Sequence, residues 1–136
     1  MGDLRSMLIR HEGRRRRLYR CTAGKWSIGI GRNLEDVGLS DDEVEYLFAN
    51  DLRRIRGELL AAFPWVATLD PVRQDALLDM AFMGVGTLRG FTKFLGALQA
   101  KDYLTASAEM LQSKWADQVG DRARELAAMI QTGEYQ

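Results

Sequence analysis

One cysteine, one histidine and two prolines stand among the 136 residues of this chain. A lone cysteine excludes an internal disulfide, so cysteine usage says nothing about the redox compartment. One histidine and one cysteine do not make a clustered metal-ligand set. A Ser-His-Asp or Cys-His device would have to run through His11, ten residues from Cys21. His11 reads instead as an ordinary helix-end residue. No apolar run approaches the roughly 20 residues of a membrane helix, and no export leader is legible. The expectation is a chain made in the cytoplasm with no integral membrane segment. Net charge is also missing, since 19 basic residues face 19 acidic ones.

That balance hides an uneven distribution. Residues 1–34 carry nine basic groups against the two acids Asp3 and Glu12, and four of the nine form the run Arg14–Arg17. A basic lobe on a neutral chain points to an anionic polymer or surface. Nucleic acid is disfavoured, because neither interleaved aromatics nor a basic recognition helix is present. Tyr19 and Trp26 are explained by packing. The hydrophobic share of 46% suits one compact soluble domain, and the length is enough to bury a core without staples.

The apolar pattern predicts a mostly helical body with one small β element. A short helix over 3–11 ends at Gly13 and leaves Glu12 at its edge. Trp26, Ile28 and Ile30 alternate with Ser27, Gly29 and Gly31, which is strand periodicity. With "RRLYR" as partner this makes a β-hairpin turning at Thr22-Ala23-Gly24. Ser40-Asp41-Asp42-Glu43 is a capping box opening a long helix to about residue 61. Asp70-Pro71 opens a helix apolar almost all round, the candidate buried centre. Further helices are expected near 92–100, near 102–113 and from Asp121 to Gly133, for five or six in all. The glycines of "GIGRNL" and "GVGTLRG" lack dinucleotide-binding spacing and read as turn and close-packing positions.

The remaining chemistry-bearing set is Glu12, Cys21 and Ser27. A carboxylic acid facing polar groups on a hairpin is what glycoside hydrolysis asks for. One acid protonates the leaving oxygen, and a second group stabilises the anomeric centre, attacks it or orients water. Spacing alone makes this a weak signal, because a glutamate in a short helix is commonplace.

The stretch "LIRHEG" followed by "YRCTAGKWSIGIGRNL" resembles the phage T4-type lysozymes, the muramidase endolysins of glycoside hydrolase family 24. Their signature of Glu, eight residues, Asp or Cys, five residues and Thr reads here as Glu12, Cys21 and Ser27. "LSDDEVEYLFANDL", "PVRQDALLDMAFMGVGTLRGF" and "SKWADQVGDRARELAAMIQTGEY" continue the likeness in order along the whole chain. The resemblance implies an α+β, mostly α, lysozyme-like domain over 1–136. Its small lobe would cover about 13–40, its helical lobe 1–12 and about 60–136, and its linking helix about 41–61. It also implies hydrolysis of the β-1,4 bond between N-acetylmuramic acid and N-acetylglucosamine in peptidoglycan, with no cofactor.

By the same resemblance Glu12 is the general acid, Cys21 takes the second acid's place and Ser27 holds the attacking water. Arg122 would lie beside Glu12, while Arg32, Phe82, Trp115 and Gln118 match substrate-side positions. A thiol with its ordinary value of about 8.5 is mostly neutral at pH 7 unless cations such as Arg20, Lys25 or Arg32 lower it. The family pattern is broken in places. Ser27 replaces a threonine, the 33–40 loop is short, and Met83 stands where a polar residue is usual. Arg32 replaces a frequent histidine and is expected to pair with Asp51. The implied setting is a monomeric phage endolysin. It would wait in the host cytoplasm and reach the wall after holin-type permeabilisation, with possible contact to the anionic envelope. A non-catalytic peptidoglycan-binding module and a lytic transglycosylase remain as alternatives.

Overall fold

The computed structural model describes residues 2–136. By contact the chain divides into two compact units, which end and begin at Phe48 and Ala49. The fold is α+β and mostly helical.

In the first unit, α1 (Leu4–Glu12) starts at Asp3, whose carboxylate accepts from the Ser6 amide at 2.7 Å. It stops at Gly13, where φ is +79° and the amide returns to the Ile9 carbonyl. A glycine takes that backbone at little cost. Contact groups α1 with this unit. The expected hairpin is a three-stranded antiparallel sheet in the order β1 (Arg15–Arg20), β2 (Trp26–Gly29), β3 (Arg32–Asn33). Tyr19 stands opposite Ser27 and Ile28 opposite Arg32, with an irregularity in β1 between Arg15 and Tyr19. Two-residue β3 is too short to show any periodicity, which is why the sequence pattern missed it.

Helix α2 (Asp41–Ala62) begins in the first unit and runs into the second. Its capping box is formed: the Glu43 amide reaches Ser40 Oγ and the Ser40 amide reaches Glu43 Oε1. In the second unit a 3-10 turn (Pro64–Thr68) leads into α3 (Pro71–Ala81), capped by Asp70. Then come α4 (Val85–Leu88), α5 (Thr92–Gln99), α6 (Tyr103–Leu111), α7 (Lys114–Val119) and α8 (Asp121–Thr132). The described residues thus form eight α-helices, not five or six. The unforeseen ones, α4 and α7, have four and six residues, too few to repeat an apolar stripe.

The apolar core belongs to the second unit. Ala76, Leu77, Met80 and Ala81 of α3 pack with Phe94, Leu98, Ala106, Met110, Leu126 and Ile130. That confirms α3 as the buried helix. Arg73 ties α3 to the end of α8, donating from Nε to the Ile130 carbonyl at 2.6 Å and from Nη2 to Gln131. Its guanidinium also lies 3.5 Å from the Tyr103 ring centroid and pairs with Asp70.

Candidate active site

Glu12, Cys21 and Ser27 all fall in the first unit. Glu12 ends α1, and its side chain lies against the backbone of Gly31, just before β3. A Cβ placed on Gly31 would stand 2.5 Å from Glu12 Oε2 and 2.8 Å from its carboxyl carbon. A side chain at this position would displace the acid from its place, and φ of +69° at Gly31 favours glycine independently. Among the described residues the Glu12 carboxyl group has no hydrogen-bond or ion-pair partner in its unit.

Cys21 closes the turn between β1 and β2. Its amide donates to the Lys25 carbonyl at 2.9 Å, and its carbonyl accepts from Gly24 at 2.8 Å. Gly24 has φ of +78°, the left-handed backbone such a tight turn uses. The turn directs the Lys25 amide, then the Ala23 amide, at the sulfur, and the Ser27 hydroxyl joins them. These donors favour the thiolate and hold the thiol below its ordinary value against a smaller opposing effect of burial. The sequence reading placed this influence in neighbouring cations. The structure corrects that: Lys25 pairs with Glu35 and Asp36, and Arg20 lies over the Trp26 ring at 4.0 Å.

Ser27 is 2% exposed and is the buried polar residue of the sheet. Its hydroxyl donates to the Lys25 carbonyl at 3.3 Å while facing the Cys21 sulfur.

Arg32 and Asp51 each have a partner within their own unit. Arg32 Nη1 donates to Glu43 Oε1 at 2.7 Å and to the Gly38 carbonyl at 3.1 Å, while Asp51 pairs with Arg54. The box glutamate Glu43 is nearer along the chain, and it serves both the helix cap and the sheet. In the second unit Arg122 grips Asp79 through Nε at 2.8 Å and also donates to the Asp79 carbonyl. Phe82 and Gln118 are exposed, and Met83 is half-buried against the core. Trp115 is buried edge-on to Phe91 at 6.3 Å, so packing alone accounts for its position. No group of three or more His, Cys, Asp or Glu suited to a metal occurs among the described residues.

Residues 9–131 match the family model described as Phage lysozyme. The chain belongs to the phage lysozyme family. Its similarity to "Probable T4-type lysozyme 1" of Dictyostelium discoideum is 27% identity, covering 98% of this chain and 96% of that one. With the "Endolysin" of Acyrthosiphon pisum secondary endosymbiont phage 1 it shares 28% identity over 81% and 75% of the two chains. It is also 30% identical to "Pre-baseplate central spike protein Gp5" of Enterobacteria phage T4, matching 28% of that longer protein. This phage lysozyme is a lysozyme-type peptidoglycan hydrolase, and its substrate is peptidoglycan. No described helix is long and apolar enough to cross a membrane.

Proposed function

We propose that the enzyme hydrolyses the β-1,4 bond between N-acetylmuramic acid and N-acetylglucosamine, with Glu12 as its acid. The observation that carries this reading is the Glu12 carboxyl group, without a hydrogen-bond or ion-pair partner among the described residues of its unit and seated against Gly31. Glu12 donates its proton to the glycosidic oxygen as the bond to the anomeric carbon breaks. Water attacks that carbon, and its proton passes to the Cys21 thiolate, which the turn amides and Ser27 favour. Ser27, whose hydroxyl hydrogen goes to the Lys25 carbonyl, offers a remaining lone pair to the water. Arg32, Phe82, Gln118 and Arg122 are the proposed sugar contacts.

The likeness to a phage endolysin supports a lysis role in a phage or prophage, with release to the wall through a holin-type lesion. The test is the chemistry of the ends. Purified peptidoglycan digested by the enzyme should yield N-acetylmuramic acid at new reducing ends. Anhydro-muramic ends would identify a transglycosylase, and binding without new ends would identify a non-catalytic module.

A further inference from the structure

The first unit carries a concavity that none of Glu12, Cys21 and Ser27 lines. A hollow of about 460 Å³ opens between the sheet and the start of α2. Its floor is aliphatic: Ile28, Ile30 and Leu39, the last two 42% and 45% exposed. Its rim holds Arg14, Arg15 and Arg32 against the single acid Glu43. Because Glu43 is bound to Arg32 at 2.7 Å, the net charge of the rim is that of Arg14 and Arg15. Arg15 lies over Tyr19 at 4.8 Å, and Arg14 has no hydrogen bond or ion pair among the described residues.

We infer that this hollow docks the enzyme on a bilayer of anionic phospholipid. The guanidiniums meet the phosphates and the aliphatic floor meets the glycerol and first methylenes. Guanidiniums alone would suit any polyanion, and the floor is what discriminates. Aliphatic side chains offer no platform for stacked bases and no hydrogen bonds for sugar hydroxyls. The surroundings agree. Exposed Arg16, Arg17 and Leu18 continue along β1, and Trp26, on the same face of β2 as Ile28, lies under the Arg20 guanidinium. Indole beside arginine is a pairing suited to the lipid–water interface. Glu12, Cys21 and Ser27 do not line this surface; it shares Arg32 with the proposed sugar contacts, and the inference rests on Arg14, Arg15 and the aliphatic floor rather than on the reaction proposed for them.

Co-sedimentation of the full chain with vesicles tests it. Phosphatidylglycerol vesicles should bind the enzyme and phosphatidylcholine vesicles should not, with binding lost in 0.5 M salt at a Debye length of about 4 Å. Arg14→Gln should weaken binding about fivefold and Leu39→Asn about tenfold. Lys93→Gln, an equal charge change in the second unit, should leave it unaltered, and Glu12→Gln should bind as the wild type does. Thermal melts verify that each variant is folded. On the unmodified enzyme, phosphatidylglycerol with brominated acyl chains should quench indole fluorescence, and Trp26→Phe should abolish the quenching. Equal binding to both vesicle types, absence of quenching, or full binding by folded Leu39→Asn would each overturn the inference. The last result would mean a site for polyanions in general.

Discussion

Replacing Gly31 with alanine tests the acid's seat without touching the acid. Alanine at φ of +69° costs about 1–2 kcal/mol of backbone strain. The added Cβ, 2.5 Å from Glu12 Oε2 and 2.8 Å from its carboxyl carbon, adds a second effect. Unstrained carbon contacts sit at roughly 3.5 Å, so the carboxyl group must retreat by about 1 Å. It is the far end of a flexible side chain and moves cheaply, so the displacement should appear in catalysis more than in stability. A shift of that size costs about a hundredfold in turnover. Gly29→Ala is the comparison, having φ of +71° and nothing within 4 Å of its Cβ. Both variants should melt about 3–6 °C lower. In kinetics on suspended peptidoglycan, only Gly31→Ala should lose about two orders of magnitude in kcat/KM. Equal activity losses in the two variants, or a loss under about threefold in Gly31→Ala, would refute the reasoning.

Three further outcomes follow from contacts elsewhere. Arg73→Met strips donors from the Ile130 and Gln131 carbonyls and should lower stability by about 2–3 kcal/mol in a denaturant titration. Glu43 is held at about 2, first by Arg32 and then by the Ser40 amide, so the folded carboxylate stays ionised where the unfolded one takes up a proton. The stability this provides is complete above pH 4.5 and fades as pH falls toward 2, and Glu43→Gln should flatten that part of the melting-temperature profile. Iodoacetamide should alkylate Cys21 with a pH midpoint below the ordinary thiol range. Ser27→Ala should move the midpoint upward only modestly, because the Lys25 and Ala23 amides remain in place.

Features written in single residues were legible in the sequence. Asp70 and Asp102 each accept from an amide three residues on, and the Ser40–Glu43 box closes as its spacing implied. The long helix ends at Ala62, one residue from the expected limit. What stayed hidden depends on partners distant in sequence or on elements too short to be periodic. Helix α7 is announced only by Ser113, whose hydroxyl caps Ala116, and six residues give the pattern no second turn of evidence. At the site, the spacing of Glu12, Cys21 and Ser27 was readable. The donors that act on Cys21 were not, because they are backbone amides of a turn and side-chain identity does not report them. Gly31 read correctly as a close-packing position, but its neighbour, Glu12, is nineteen residues away and emerges only in three dimensions. Arg32 shows the opposite failure. Opposite charge makes Asp51 a plausible partner in sequence, and the partner Arg32 takes is Glu43, which the cap holds within reach.

The central claim is that Glu12 supplies the proton that breaks the glycosidic bond. The direct measurement is turbidity clearing of outer-membrane-permeabilised Gram-negative cells by the wild type and Glu12→Gln, with reducing ends counted in the released fragments. The amide keeps the shape of the side chain against Gly31 and removes only the transferable proton. Clearing with new reducing ends by the wild type, and neither with the folded variant, is the predicted result. Clearing by Glu12→Gln at the wild-type rate would contradict the account.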